Sequence, residues 1–267
     1  MTSESTFGIR KISLLDVAPT AAKVLGISLP VSDGLAIGAV EGWGCRNVVL
    51  IIVDSLGYDL YRWLDPHLEN IPDLAKRGVI LKAEAVSNHT TPAIATILSG
   101  LLPEHHKIFD KQGAKDSSLL SIPEIAGASG LKTAVIMEKN GAEVYRGLIE
   151  IVRGISDDLA PEDFDRQVCC HAVEALSEKP RLLVSYFIGI DKATHMGLGP
   201  AGIKSAAIWI DRCAGEIFTA TDDETLFILC GDHPVHAGVL KKPKKPCSVA
   251  LILAKGGKAG RAVRDDQ

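Results

Sequence analysis

Four short fragments of the chain carry the carboxylates, imidazoles and hydroxyls that a metal-dependent phosphoryl-transfer site requires. In chain order they are Val-Asp-Ser-Leu-Gly at 53–57, His-Thr-Thr-Pro at 89–92, Asp191 with His195, and Asp232-His233 with His236 close behind. Each fragment alone is a weak signal. Because each one lies beside an apolar run typical of a strand, the set together predicts a two-metal centre that cleaves esters.

The three aspartates of this set each follow an apolar run. Asp54 follows 48–53, Asp191 follows 183–190 and Asp232 follows 226–231. In an open parallel sheet, ligands bind at the carboxyl ends of the strands. A single aspartate after a strand is more often a turn residue or a helix cap. Three of them, two with histidines at short spacing, favour a site instead.

The spacing of the ligand candidates indicates how they would bind metal. Asp191 and His195 are four residues apart, so one helical turn places both side chains on the same face. The adjacent Asp232 and His233 can share a metal only from an irregular loop, and His236 is within reach of that loop. Mixed aspartate and histidine ligation suits zinc and tolerates manganese or iron, whereas magnesium prefers oxygen ligands.

Thr90 and Thr91 are the candidate nucleophiles. A hydroxyl beside two metal ions can be deprotonated and can attack phosphorus. Pro92 favours the first turn of a helix over 92–99, which places both threonines at the helix N-terminus, where a phosphate also binds well. The alternative is that these threonines only cap the helix, and for the pair considered alone that interpretation is the stronger one.

Short β-rich runs alternate with helical patterns, which predicts an α/β fold with a mostly parallel sheet covered by helices on both faces. Nearly continuous apolar runs favour buried strands, whereas 79–86 alternates and is expected to be less buried. The predicted strands are 47–53, 79–86, 132–137, 181–188, 225–230 and 247–253. The predicted helices are 92–99, 122–129, 161–177 and 201–218. No linker divides the chain, so a single domain is expected.

The N-terminal stretch has its own pattern. Asp16 is expected to cap a short helix that ends at Gly26, a glycine stop. Leu29-Pro30 and Asp33-Gly34 then predict turns. A second apolar run, 35–40, precedes the first strong strand.

Composition excludes several classes of function. The 267 residues are 46% hydrophobic with a net charge near −4, which gives no electrostatic footprint for a nucleic acid polymer or an anionic membrane. The basic run 241–245 is expected to be a solvated loop, with attraction of an anionic substrate as the alternative. A small phosphorylated substrate is the partner expected from the four fragments of the predicted phosphoryl-transfer site.

Cysteine usage and the N-terminus bear on location. The six cysteines are scattered without a Cys-x-x-Cys pair, which argues against a thiolate zinc site. The first residues lack the basic-then-apolar pattern of a signal peptide, and no apolar run reaches the length of a membrane span. A reduced, cytoplasmic setting is expected.

The four fragments, in this order, resemble the motifs of the alkaline phosphatase superfamily, and most closely those of its type I phosphodiesterase and nucleotide pyrophosphatase branch. Val-Asp-Ser-Leu-Gly-Tyr-Asp at 53–59 resembles the first aspartate motif. The segment 89–106, with its Ser-Gly-Leu-Leu-Pro-Glu-His-His tail, resembles the nucleophile motif. The segments 190–197 and 231–233 resemble the Asp-x-x-x-His and Asp-His motifs. The resemblance implies an alkaline phosphatase-like three-layer αβα sandwich.

The resemblance also implies roles for individual residues. Thr90 would be the nucleophile, with Thr91 as the fallback. One metal would be held by Asp191, His195 and a further histidine. The other would be held by Asp54, Asp232 and His233, with Thr90 bridging toward it. Both ions are expected to be zinc, with manganese or iron as alternatives.

Three departures from the family pattern stand out. The further histidine usually lies well downstream, but here no histidine follows His236, so His236 must serve or that metal shell is incomplete. Ala93 stands where the branch often has a phosphate-contacting asparagine, and Lys139 and Asn140 are candidates for that contact. A threonine nucleophile argues against sulfate esters, because the sulfatase branch uses a cysteine-derived group.

The N-terminal segment 13–34 resembles a piece that family members carry near the C-terminus. This pattern predicts a circular permutation within one domain, 1–267, in which 1–46 corresponds to the usual C-terminal segment and 47–255 to the catalytic core. The competing interpretation is a chance similarity of a short helix.

The expected function is hydrolysis of phosphate monoesters or diesters through a phosphothreonine intermediate. The alternatives are a phosphomutase or a phosphonate hydrolase of the same superfamily. From another class, a non-catalytic scaffold that binds a metal or nucleotide also fits, and the absent downstream histidine favours it.

Overall fold

The computed structural model describes residues 11–235 and 248–257, and its centre is a seven-stranded sheet. The strands are β1 (Asn47–Val53), β2 (Gly78–Glu84), β3 (Thr133–Glu138), β4 (Ile151–Ile155), β5 (Leu182–Phe187), β6 (Thr225–Gly231) and β7 (Ser248–Lys255). Their order across the sheet is β2-β7-β6-β1-β5-β3-β4. Strands β6, β1, β5, β3 and β4 run parallel, whereas β7 pairs antiparallel with both β6 and β2. The sheet is therefore mostly parallel, as predicted.

Helices cover both faces of this sheet. They are α1 (Val17–Leu25), α2 (Tyr58–Leu64), α3 (Asn70–Arg77), α4 (Thr90–Ser99), α5 (Pro103–His106), α6 (Lys111–Asp116), α7 (Ile122–Ala128), α8 (Lys139–Glu143), α9 (Pro161–Ser177), α10 (Gly189–His195) and α11 (Gly199–Thr219). Helices α3, α9, α10 and α11 pack against one another in one layer, and α1, α4 and α7 pack together in another. The predicted three-layer αβα sandwich is confirmed.

Burial explains which strands the sequence predicted well. The central strands β1, β5 and β6 are almost wholly buried and consist of near-continuous apolar runs. The less buried strand expected at 79–86 is β2, at one edge of the sheet. The opposite edge strand, β4, was not predicted, because Arg153 and Gly154 interrupt its apolar pattern.

Asp16 occupies the N-cap position of helix α1, as predicted, but its side chain has a different role. Helix α1 ends at Gly26, whose φ of 72° is left-handed, as a glycine stop requires. The Asp16 side chain makes no capping hydrogen bond to α1. It accepts instead from the backbone N–H groups of Ser13 and Leu35, each at 2.9 Å. This buried carboxylate therefore ties together the two ends of the N-terminal segment.

The predicted turn at Asp33 and Gly34 holds the end of α4. The N–H groups of both residues donate to the carbonyl oxygen of Gly100, and Asp33 Oδ2 accepts from Leu102 N–H at 2.8 Å. A Cβ on Gly34 would lie 1.9 Å from the Leu15 carbonyl oxygen, so only glycine fits. The N-terminal segment is thus packed against the turn that follows the candidate nucleophile helix.

Two predictions fall outside the part of the chain that the structure describes. They concern His236 and the basic run 241–245. Within the described residues, no helix combines the length and apolar character needed to cross a membrane.

Candidate metal and nucleophile site

Strand order brings the three predicted aspartates to one edge of the sheet. Strands β6, β1 and β5 are immediate neighbours, and Val53 pairs with Gly231 on one side and Phe187 on the other. Asp54 and Asp232 are the next residues of β1 and β6, so they leave the sheet side by side. Asp191 lies in α10, which follows β5 directly. Adjacent parallel strands therefore place three carboxylates together at their carboxyl ends.

The residue after Asp54 connects the other two aspartates. Ser55 N–H donates to Asp232 Oδ1 at 3.0 Å, and Ser55 Oγ donates to Asp191 Oδ1 at 2.8 Å. Ser55 has a φ of 65°, a left-handed conformation that is uncommon outside glycine. Such strain is retained where the surrounding contacts fix the backbone, and two carboxylates do so here.

The turn after β1 passes very close to β6. A Cβ on Gly231 would lie 2.1 Å from the carbonyl oxygen of Leu56, so the turn fits only against glycine. This close approach brings Ser55 within hydrogen-bonding distance of the aspartate that follows Gly231.

Backbone contacts orient the imidazole of His233. Its Nδ1 lies 3.0 Å from the carbonyl oxygen of Pro234, which can only accept a hydrogen bond, so Nδ1 carries the proton in the neutral ring. The lone pair of Nε2 therefore faces the aspartates. Nε2 lies 3.4 Å from Asp54 Oδ1 and 3.5 Å from Asp232 Oδ2. A carbonyl that fixes the far nitrogen is typical of metal-binding histidines.

The donor atoms of Asp54, Asp232 and His233 fit a metal ion. All three residues are buried, and their ligand atoms lie within 4.8 Å of one another. Within the described residues, Asp54 Oδ1 and Asp232 Oδ2 are buried without a hydrogen-bond partner. Because buried carboxylate oxygens without a hydrogen-bond partner are costly, a cation bound here would stabilise both of them, and the lone pair of the imidazole nitrogen could be its third ligand.

Electrostatics support the same conclusion. Burial, followed by the charges of Asp232 and Asp191, raises the pKa of Asp54 well above its usual range. Burial raises the pKa of Asp232 to about 8, despite hydrogen bonds from the Ser55 and His233 N–H groups. The Tyr186 hydroxyl donates to Asp54 Oδ2. Without a counter-ion Asp232 therefore holds a proton near neutral pH, and a divalent cation bound at this site would displace it.

Thr90, in helix α4, lies next to the candidate metal ligand His233. It is the first residue of α4, and its Oγ1 lies 3.1 Å from His233 Nε2. The preceding residue, His89, makes no side-chain cap, so the first N–H groups of the helix have no such partner. Thr90 and Thr91 both line a cavity of about 320 Å³ beside these side chains, but among the described residues Thr91 has no hydrogen bond to His233. The geometry favours Thr90 over Thr91.

The other predicted site residues, His195, Asn140 and Lys139, differ in how they are placed relative to the site. His195 Nε2 lies 3.4 Å from Asp191 Oδ2, on the same helical face as predicted, although half of the His195 side chain is exposed. Asn140 lines the cavity beside the site. Lys139 is exposed and does not line that cavity. Of the three ligands predicted for the first metal, Asp191 and His195 lie close to each other and His236 lies outside the described residues, so this shell remains a prediction.

Residues 46–156 match the family described as Sulfatase. Among solved structures, phosphonoacetate hydrolase from Sinorhizobium meliloti in complex with phosphonoacetate aligns at TM-score 0.58 and 14% identity, over 70% of this chain and 56% of that one. A 2-O GAG sulfatase aligns at TM-score 0.57 and 16% identity, over 78% and 64%. A protein of the alkaline phosphatase superfamily from Vibrio parahaemolyticus aligns at 0.58 and 13%, over 91% and 68%. The chain has an alkaline phosphatase-like fold.

The resemblance predicted from the four motifs is confirmed at the level of this fold, whereas the phosphodiesterase branch and the permuted order remain predictions. No curated protein sequence matches the chain. The chain spans less than two thirds of the first two structures compared above.

The sequence indicated no role for two residues that contact the candidate metal ligands, Ser55 and Tyr186. Ser55 lies within the Val-Asp-Ser-Leu-Gly fragment at 53–57, but nothing in the sequence predicts its left-handed backbone conformation. Tyr186 stands out only as a polar residue beside Ser185 in the buried strand β5. His106, in the tail of the nucleophile motif, is structural: its Nδ1 accepts from Ile108 N–H at 2.9 Å and its Nε2 meets Thr96 Oγ1 at 3.3 Å.

Proposed function

We propose that this protein is a metal-dependent hydrolase of phosphate monoesters or diesters, with Thr90 as its nucleophile. One observation carries the proposal. The Thr90 hydroxyl lies 3.1 Å from the same His233 nitrogen that faces two unpaired, buried aspartate oxygens. A hydroxyl placed against a cation site at a helix N-terminus has the components that attack on a phosphoryl group needs.

Two metal ions belong to the proposal, most simply zinc, with manganese or iron as alternatives. Asp54, Asp232 and His233 would hold one, and Asp191, His195 and His236 the other. When bound, such ions lower the pKa of a nearby hydroxyl and neutralise the developing charge on phosphoryl oxygens.

The proposed reaction has two steps. The Thr90 hydroxyl gives up its proton and its oxygen forms a bond to phosphorus while the bond from phosphorus to the ester oxygen breaks; the ester oxygen takes up one proton and leaves as the alcohol. Water then cleaves the phosphothreonine, releasing phosphate, or a phosphate monoester when the substrate is a diester. The N–H groups at the start of α4 are placed to bind the phosphoryl oxygens during both steps.

The test combines turnover with trapping of the intermediate. Chromogenic phosphate mono- and diesters are screened against purified protein with zinc, manganese or iron, and with a chelator. Acid quenching during turnover, followed by peptide mass spectrometry, should find one phosphoryl group on the peptide containing Thr90. Thr90→Ala should lose both the activity and the label.

Thr91→Ala is the matched control, since it removes a neighbouring hydroxyl from the same helix turn. It should retain the label and most of the activity. Equal rates for wild type and Thr90→Ala would reject Thr90 as nucleophile. Bound metal without turnover of any ester would favour the non-catalytic scaffold.

Phosphonate hydrolysis is the second candidate, because phosphonoacetate hydrolase shares the fold and is seen with phosphonoacetate bound. Phosphonoacetate therefore belongs in the substrate screen. A sulfate ester belongs there too, given the sulfatase family match over 46–156. We expect the sulfate ester to react poorly, because a threonine occupies the nucleophile position.

We further propose that residues 1–267 form one domain in permuted order, with 1–46 corresponding to a C-terminal segment of the family and 47–255 to the catalytic core. The hydrogen bonds from Asp33 and Gly34 to Gly100 support this, since they make the N-terminal segment part of the packing around α4.

A further inference from the structure

A cavity of about 320 Å³ opens from the candidate site. Asp54, Thr90 and Asp191 line one end of it. Beyond them the walls are mainly apolar and come from α4, α8, the end of β3 and the segment around α6. The larger apolar side chains include Ile94, Leu98, Ile108, Leu119, Met137 and Val144. The space next to the reacting hydroxyl is therefore suited to a hydrocarbon.

The cavity follows one face of α4. The residues of α4 that line it are Thr90, Thr91, Ile94, Ala95 and Leu98. The last four lie one, four, five and eight positions after Thr90, so all five are on the same side of the helix. At 1.5 Å of rise per residue, Leu98 lies about 12 Å along the axis from Thr90. This length is on the scale of an extended n-octyl chain.

Two serine hydroxyls on the walls make hydrogen bonds within the protein. Ser99 Oγ donates to the Ala95 carbonyl oxygen at 2.6 Å. Ser121 Oγ lies 2.8 Å from Glu124 Oε2 and 3.3 Å from the Tyr145 hydroxyl. A ligand that presented a sugar or a base to these groups would have to displace existing hydrogen bonds, which disfavours such a ligand.

Charges on the walls also disfavour a second anionic group. Lys192 donates to the carbonyl oxygens of Asp157 and Leu159. Lys111 Nζ lies 3.4 Å from Glu138 Oε1 and 3.5 Å from Asp157 Oδ2. Within the described residues, both lysines of the cavity thus contact protein oxygens, which a second phosphate would have to displace.

We propose that the substrate is a phosphate ester of a long-chain aliphatic alcohol, with its phosphate at Thr90 and its chain along α4. This inference rests on the proposed function for the position of the phosphate. The length of the cavity along α4 and its apolar walls indicate that the alcohol is a long-chain aliphatic one.

The experiment measures kcat/KM for methyl, n-butyl and n-octyl phosphate with the metal-loaded enzyme. Burying one methylene should raise kcat/KM about fourfold. Because the n-octyl chain is longer than the n-butyl chain by about four methylenes, kcat/KM for n-octyl phosphate should be roughly 100-fold higher or more. In parallel, calorimetry compares binding of n-octylphosphonate and methylphosphonate, which does not require turnover.

Two variants fill the cavity from opposite walls. Ala95→Phe on α4 and Val144→Phe at the end of α8 should each lower the n-octyl to methyl ratio at least tenfold, equivalent to about two displaced methylenes. Two positions guard against one variant failing to fold. Ala220→Phe is the control, because Ala220 is exposed at the end of α11, just before β6 begins, and it should keep the wild-type ratio.

The outcomes separate the two proposals. Equal kcat/KM for methyl and n-octyl phosphate would overturn the aliphatic substrate and leave the hydrolase intact. Tight binding of n-octylphosphonate, lost in both filled variants, but without hydrolysis of any ester, would support the apolar site and reject the proposed function. Failure to hydrolyse any ester together with equal binding of the two phosphonates would reject both.

Discussion

Thr90 and His233 are 143 residues apart in the chain, yet Thr90 Oγ1 lies 3.1 Å from His233 Nε2. The contact joins the start of α4 to the loop after β6. Because the carbonyl oxygen of Pro234 fixes the proton on Nδ1, Nε2 has a lone pair that can accept from Thr90 or bind a cation. The candidate nucleophile and the candidate metal site therefore share one nitrogen atom.

We expect the two predicted metal sites to be separable by single histidine substitutions. Wild-type protein should bind two equivalents of zinc. His233→Ala should abolish the site formed with Asp54 and Asp232, weakening it by more than the ~10–100-fold typical of losing a residue that only orients a ligand. His195→Ala should affect only the site that includes Asp191. Titration calorimetry and metal analysis provide the measurement, and a wild-type stoichiometry of one would contradict the two-metal part of the proposal.

Stability of the metal-free protein should fall as pH rises from about 5 to 8. Asp232 has a pKa of about 8 when folded, against 3.8 for an ordinary aspartate. Between these values the folded state holds a proton that the unfolded chain has lost, so the free energy of unfolding decreases with pH. Zinc should reverse the trend, because it binds the ionised carboxylates and competes with protons.

Chemical denaturation at several pH values, with and without zinc, measures this effect. Asp165, whose pKa burial raises to about 7, contributes a slope of the same sign. Asp232→Asn isolates the site, and its metal-free slope should be shallower than that of wild type. Parallel slopes for the two proteins would show that Asp232 is not the group responsible.

Tyr186→Phe should weaken metal binding without removing a ligand. The substitution deletes the donor to Asp54 Oδ2 and leaves a buried carboxylate oxygen unpaired, which costs about 1–3 kcal/mol of stability. Zinc affinity should fall ~10–100-fold. Since the lost hydrogen bond lowered the pKa of Asp54, the pH at which zinc binds should also shift upward.

Tyr61→Phe is the matched control for this substitution. Tyr61 is buried and donates to Asp65 Oδ1 at 2.9 Å, so the variant also loses one tyrosine hydrogen bond. Its zinc affinity should equal that of wild type. Equal losses of affinity in both variants would mean that the effect is general destabilisation.

Substitutions at Ser55 should separate its side-chain role from its backbone strain. Ser55→Ala and Ser55→Gly both remove the hydrogen bond to Asp191 and retain the N–H group that faces Asp232. Glycine accepts a φ of 65° without the penalty of roughly 1–2 kcal/mol that alanine incurs. We expect both variants to lose activity to a similar extent, with Ser55→Gly the more stable by about 1 kcal/mol in thermal unfolding. A more stable alanine variant would contradict the strained conformation.

The sequence alone was sufficient for the features that depend on local pattern. Apolar runs located β1, β5 and β6, and the aspartates that follow them pointed to the carboxyl edge of a parallel sheet. Pro92 located the start of the helix that carries Thr90. These signals are readable because buried strands and helix starts impose residue types over a few consecutive positions.

Only the tertiary structure decided which of these pieces meet. The order β6-β1-β5 makes Asp54 and Asp232 neighbours, and strand order is a property of distant segments that no local window contains. The contacts of Tyr186 and Ser55, the exposed position of Lys139 and the apolar cavity along α4 have the same origin. Local periodicity fixes which face of an element is apolar, whereas long-range packing decides what that face contacts, and the chemistry of this site depends on both.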